Sequence, residues 1–235
     1  MSNSVRVRVS GEFACFSRPE CKVERVSYEV MTPSAARGVL DAILWKPEFR
    51  WNIRRIKVLK PIRFIALKRN EIQSKVVPSA VQAWARHPAD YEPQAAGAGS
   101  SEATPRNTLA LRDGAWIIEA EPLLFDATGD NTPMKYVSMF QRRVEKGQCF
   151  TQPSLGCREF PARFEPPIEG EEAIGETRDL GMMLYDIIFP GLRKGPHRPV
   201  FFPARLESGV LDTRVEQVLA EEGVRKEVLA CSYRR

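Results

Sequence analysis

The spacing of apolar residues changes period near Thr32, and this change constrains the fold more than anything else in the chain. Before it, Val5, Val7 and Val9 alternate with Arg6, Arg8 and Ser10, the period of two that marks a half-buried strand with a cationic outer face. Gly11 ends that run, and a further strand is expected over 23–30. After Thr32, Ala36, Val39, Leu40, Ile43 and Leu44 recur at helical spacing, with Arg37 and Asp41 on the other face. Thr32 fits an N-cap, Pro33 the first helical position and Pro47 a stop, so the helix runs to about Trp45. Two strands follow in "RWNIRRIKVL" and "IRFIALK", with Ile53, Ile56 and Val58 toward a core and arginines projecting between them. "GAWIIEAEPLLF" supplies another strand over 114–125, and Asp130, Asn131 or Thr132 before Pro133 opens a second helix that Gly147 closes. The order of elements suggests an α+β sheet with helices on one face, the ferredoxin-like (RRM-like) split βαβ plan, over residues 1–155. Residues 156–235 read as a β-rich subdomain of short strands, with a charged tail at helical spacing through Val215, Val218 and Leu219. Residues 76–107, rich in Ala, Pro, Gly and Ser, read as a long insert or mobile projection.

Charge is informative through its placement. The 35 Lys and Arg exceed the 30 Asp and Glu by little, giving +5. Yet from Arg50 through Arg69 the chain carries Arg50, Arg54, Arg55, Lys57, Lys60, Arg63, Lys68 and Arg69 with no acid between them. Basic outer faces on adjacent strands make a platform for a polyanion. "EPPIEGEEAIGE" (165–176) carries only acids and reads as a solvated loop with no role at a phosphate. Cys15, Cys21, Cys149, Cys157 and Cys231 are odd in number and form no paired CxxC, which fits a reducing cytosol better than a disulfide framework. The N-terminus lacks a signal-peptide core and no apolar run reaches membrane-spanning length, so a cytoplasmic, soluble protein is expected.

No phosphate-binding P-loop, HExxH or GxSxG is present, and His87 and His197 lie beside prolines in expected loops, so histidine-based nuclease and zinc chemistry are disfavoured. Metal-independent RNA cleavage needs a proton acceptor, a proton donor and cations to offset the phosphorane charge, which Lys and Tyr can supply less efficiently. Lys135 stands in the first turn of the second helix, where exposed N–H groups favour a phosphate, and shares a stripe with Ser138 and Arg142. Tyr136 falls on the neighbouring apolar stripe with Phe140 and Val144, so packing and chemistry are both open to it. Arg158 follows a glycine turn in "GCREFPAR" and can grip a phosphate or pair internally near Glu159. Trp45, Trp51, Phe64 and Trp84 can stack on bases, though core packing is the commoner use and is the one assigned to Trp45. The RNA-binding candidates are Arg37, Lys46, Arg50, Arg54, Arg55, Lys68, Arg69, Arg142, Arg143 and Arg158.

The stretch from Gly11 to Ile62, with "KRNEIQSK", "KYVSMFQRRVEKGQ" and "QPSLGCREFPARFE", resembles the type I-C CRISPR-associated protein of the fifth Cas family. The resemblance runs in order along most of the chain. It implies a RAMP-type ferredoxin-like domain with a C-terminal β subdomain, no metal and no cofactor. It implies cleavage of precursor CRISPR RNA (crRNA) at the base of the repeat hairpin, followed by retention of the 5′ handle. It also implies a place at one end of Cascade beside the backbone and large subunits, with target DNA reached only through that complex. Relatives cut with a tyrosine just before "WKP" and a lysine-histidine pair at the later helix start. Those positions are Leu44, Lys135 and Tyr136 here, so two of three groups differ. A non-catalytic crRNA-handle binder is therefore the alternative to a processing endoribonuclease.

Overall fold

The computed structural model describes residues 3–21, 23–91, 95–97, 99–125, 128–189 and 197–230. Cys231, the chain terminus and parts of the 76–107 segment lie outside the described residues. The strands are β1 (Val5–Ala14), β2 (Arg25–Val26), β3 (Phe49–Val58), β4 (Phe64–Ile72), β5 (Ala103–Leu124), β6 (Arg163–Glu165), β7 (Arg178–Ile188), β8 (Arg198–Glu207) and β9 (Val210–Asp212). Among the described residues the helices are α1 (Pro33–Ile43), α2 (Pro78–Arg86), α3 (Pro133–Glu145), α4 (Val215–Val218) and α5 (Glu222–Ala230), with a 3-10 turn at Pro88–Asp90.

One sheet, largely antiparallel, runs in the order β6-β1-β5-β3-β9-β8-β7, with β2 and β4 paired to β5 off this path. The 22-residue β5 organises it. Its later half lies between β1 and β3, pairing Val7 with Ile118 on one side and Ile56 with Ile118 on the other. Its earlier half pairs with β4 from Phe64↔Leu111 to Ile72↔Ala103. β6, beyond residue 155, pairs with β1, and β9 joins the later strands to β3 through Ile56↔Leu211. Helix α1 packs on β3 and β7, and α3 packs on β5 and β1. The expected alternation holds where it matters for the core: Val5, Val7 and Val9 are each fully buried, as are Leu40, Ile43, Ile56, Ile118 and Phe140.

Helices α1 and α3 start as their sequences direct. Thr32 Oγ1 accepts from Ala35 N at 3.2 Å, and Thr132 Oγ1 from Lys135 N at 3.3 Å, each followed by proline. No helix among the described residues is long and apolar enough to cross a membrane.

Several expectations change. β1 does not stop at Gly11 but passes through it to Ala14; Gly11 faces Gly114, where an added Cβ would strike the Trp116 ring at 2.1 Å. The strand expected over 23–30 shrinks to Arg25–Val26, and the strand expected from 114 begins at Ala103, inside the presumed insert. Residues 73–102 therefore connect the far ends of a β4/β5 ribbon, and α2 within them has no buried residue. Trp45 is 41% exposed, because α1 ends at Ile43 and leaves it off the buried stripe. Trp51, like Trp116, lies in the core instead; it donates Nε1–H to Leu44 O at 3.0 Å, and its burial closes it to base stacking. The acidic loop is also less free than expected: Glu165 and Glu171 accept from Arg8 at 2.5 and 2.8 Å, while Arg6 on the same strand stays exposed.

Candidate nucleic-acid interface

The start of α3 presents Lys135 to solvent while holding Tyr136 within. Asn131, just before the Thr132 cap, ties them: its Oδ1 accepts from the Tyr136 hydroxyl at 2.9 Å and from Lys135 Nζ at 3.5 Å. The Tyr136 ring is 2% exposed and lies 4.4 Å from the ring of Phe49, centroid to centroid. Phe49 in turn meets Trp51 at 4.9 Å, and Trp51 meets Phe140 at 4.9 Å. This aromatic cluster joins the end of α1 to the start of α3, so Leu44, Lys135 and Tyr136 share one neighbourhood. Leu44 contributes no polar side-chain group and is fully buried. Lys135 is thus the one member of the three that reaches solvent with a charge.

The other candidate cations divide sharply. Arg37 and Arg50 are internal, both bound to the buried Asp186 carboxylate: Arg37 Nη2 lies 3.0 Å from Oδ1 and Arg50 Nη2 2.5 Å from Oδ2. Arg50 also donates to the Val228 carbonyl on α5. Neither lies on a surface that RNA could meet, contrary to expectation: α1 has strands on two sides and the face bearing Arg37 looks toward β7, while Arg50, at the start of β3, is covered by α5. Arg54 is occupied by Glu216 at 2.5 Å and Glu121 at 3.3 Å, and Arg69 by Glu159 at 2.5 Å. Arg143 donates to the Ile43 carbonyl at 2.5 Å and caps α1 rather than facing outward alone. Lys46 is partly exposed, and Arg55, Lys68, Arg142 and Arg158 are exposed. Arg158 does follow a glycine turn: Gly156 has φ +86 and its Cβ position lies 1.9 Å from Cys15 O, so only glycine fits.

A groove of about 1060 Å³ runs beside the β1/β5 glycine pair, lined by Lys60, Arg63, Arg112 and Arg163 with Phe13 and Phe160. Glu12, Asp113 and Glu159 line it too, but Asp113 holds Lys60 at 2.6 Å and Glu159 holds Arg69. Arg63, Arg112 and Arg163 are exposed; Arg63 stands in the acid-free basic run, whereas nothing in the sequence reading singles out Arg112 or Arg163. β1 brings Arg112 and Arg163 to the same groove by pairing with β5 on one side (Phe13↔Arg112) and β6 on the other (Ser10↔Arg163), and no local pattern announces it.

Residues 4–214 match the family model Cas_Cas5d, described as CRISPR-associated protein (Cas_Cas5). The chain is 43% identical over 230 residues to the CRISPR pre-crRNA endoribonuclease Cas5d of Mannheimia succiniciproducens, covering 94% of this chain and 99% of that one. It is 44% identical over 231 residues to the Thermus thermophilus protein of the same name, covering 91% and 92%. Among solved structures, its fold is similar to a CRISPR-associated protein (TM-score 0.61, 23% identity, 89% and 90% of the two chains). It is also similar to the functionally uncharacterized SMU1763c of Streptococcus mutans (TM-score 0.60, 20% identity, 89% and 91%). The chain belongs to the Cas5 family of CRISPR-associated proteins.

Proposed function

We propose that this protein is a type I-C precursor-crRNA endoribonuclease that cuts without metal, keeps the 5′ handle, and caps Cascade beside its backbone and large subunits in the cytoplasm. The near-full-length identity to two pre-crRNA endoribonucleases carries the reading. The strand order β6-β1-β5-β3, with α1 and α3 as crossovers, supports the ferredoxin-like plan for the part that binds RNA.

Lys135 is the residue on which cutting rests. As the 2′ oxygen bonds to phosphorus its proton passes to solvent; the Lys135 ammonium offsets charge on the phosphorane and protonates the 5′ oxygen as the P–O5′ bond breaks, while N–H groups of the α3 start help hold the phosphate. Tyr136 steadies Asn131 beneath the lysine and is a positioning residue. Arg55, Lys68, Arg142 and Arg158, with the groove arginines, hold the strand on either side. Burial of Leu44 and Tyr136 favours the second reading, a non-catalytic handle binder whose precursor is cut by another enzyme.

Single-turnover cleavage of labelled cognate repeat RNA in EDTA separates the two. The expected result is cleavage by the native chain, slowed at least ~100-fold by Lys135→Ala and within about threefold for Tyr136→Phe. Tight binding without cleavage establishes the handle binder instead. Cleavage that Lys135→Ala leaves untouched removes the helix tip as the site.

A further inference from the structure

Cys15 follows β1 and Cys157 lies in the turn that Gly156 opens. The backbone brings them together, because Cys15 N donates to Leu155 O at 2.9 Å and Cys157 Sγ lies 4.0 Å from Cys15 O. Cys15 is 1% exposed, whereas Cys157 is partly open to solvent. Arg25 Nη1, from β2, points at Cys157 Sγ from 3.4 Å, and the Ser17 hydroxyl lies 3.5 Å from Cys15 Sγ.

Other charges face this pair. Glu159, on the same segment as Cys157, is held by Arg25 at 3.3 Å and Arg69 at 2.5 Å, while Glu71 on β4 holds Arg25 at 3.3 Å. The groups acting on the sulfurs are each other and Arg25, with Ser17 at Cys15 and the Glu159 charge opposing ionisation of Cys157. A hydrogen bond from the Cys15 thiol, helped by Arg25, brings Cys157 down to about 6 despite partial burial. Cys15 is pushed far up by the same bond and by burial, so it keeps its proton. The RNA chemistry above uses neither residue.

We propose that Cys157 is a peroxide-reactive thiolate and that Cys15 resolves its oxidised form into an intramolecular disulfide. The thiolate attacks one oxygen of hydrogen peroxide: an S–O bond forms, the O–O bond breaks, and the departing hydroxide takes a proton to become water. Cys15 then gives up its proton and attacks the Cys157 sulfenic acid; the S–S bond forms and the S–O bond breaks, releasing a second water. Two thiols and one peroxide become one disulfide and two waters. The product clamps the segment bearing Arg158 onto the end of β1 and links residues 142 apart in sequence, raising the thermal unfolding midpoint by several degrees on the order expected for a long loop.

The test uses the full reduced chain and stoichiometric hydrogen peroxide, with peptide mapping under non-reducing conditions. The expected product joins the Cys15 and Cys157 peptides with loss of two hydrogens, and Cys21→Ser leaves it unchanged. In Cys15→Ala the linked peptide disappears and dimedone traps sulfenic acid at Cys157. Iodoacetamide labelling of Cys157 in the native chain has a pH midpoint near 6, and Arg25→Gln moves it upward. Preferential oxidation of Cys21 or Cys149, or a Cys157 midpoint at the ordinary thiol value of about 8.5, overturns the proposal. The outcome is independent of whether the protein cuts RNA.

Discussion

At Tyr136 the ring and the hydroxyl do different things: the ring packs on Phe49, and the hydroxyl donates to Asn131 at 2.9 Å. Removing the hydroxyl alone in Tyr136→Phe is expected to cost about 1 kcal/mol, the net worth of one hydrogen bond, whereas Tyr136→Ala opens a cavity worth about 3–5 kcal/mol. Urea unfolding distinguishes them, and equal losses would mean that the ring does not pack as described. Asp41 gives a pH signature. Its side chain is 26% exposed, and burial pushes its pKa from 3.8 up to about 6 against the pull of Arg37 and Arg50. The native state therefore holds the proton more tightly than the unfolded chain, so stability falls as pH rises through that window. Asp41→Asn removes this dependence; its urea midpoint relative to the native chain is expected to be higher at pH ~7.5 than at pH ~4. A native chain with no loss of stability between those values contradicts the assignment.

Among elements, those written in local chemistry were legible and those made by distant partners were not. Thr32-Pro33 and Thr132-Pro133 announce α1 and α3, and Gly147, at φ +61, announces the end of α3. The strand from Ala103 has no such signal: Thr104, Pro105, Arg106 and Asn107 suit a loop, and it is strand because β4 lies alongside. Arg37 and Arg50 looked like surface cations because their counter-charge, Asp186, is 149 and 136 residues away. That carboxylate is expected to be a keystone. Asp186→Ala leaves two buried guanidiniums without it and is expected to cost about 3–5 kcal/mol by urea unfolding. Arg50→Met also frees the Val228 carbonyl, so amide exchange should quicken over α5 (Glu222–Ala230), while Arg37→Met leaves α5 protected. Indifference of α5 to Arg50→Met would show that its docking rests on Val228 and its apolar neighbours alone.

For the whole molecule, a charge of +5 understates what a polyanion meets, since many of the charges cancel within the fold. Arg8, Arg54, Arg69 and Arg178 are committed to acids, leaving Arg55, Lys68, Lys135, Arg142 and Arg158 exposed with the groove arginines. Binding of single-stranded repeat RNA should then weaken linearly in log K against log salt, with about 0.7 of slope for each phosphate neutralised. Arg142→Gln and Arg158→Gln are each expected to lower that slope by ~0.7, and the double variant by the sum, irrespective of base sequence. Arg54→Gln is the control: it breaks pairs to Glu216 and Glu121 and should leave the slope unchanged. The measurement is filter binding across a range of salt, with unfolding followed on the same variants. If the exposed set leaves the slope intact while Arg54→Gln reduces it, the RNA path crosses β3 beside α4, and the face around α3 is turned toward another subunit.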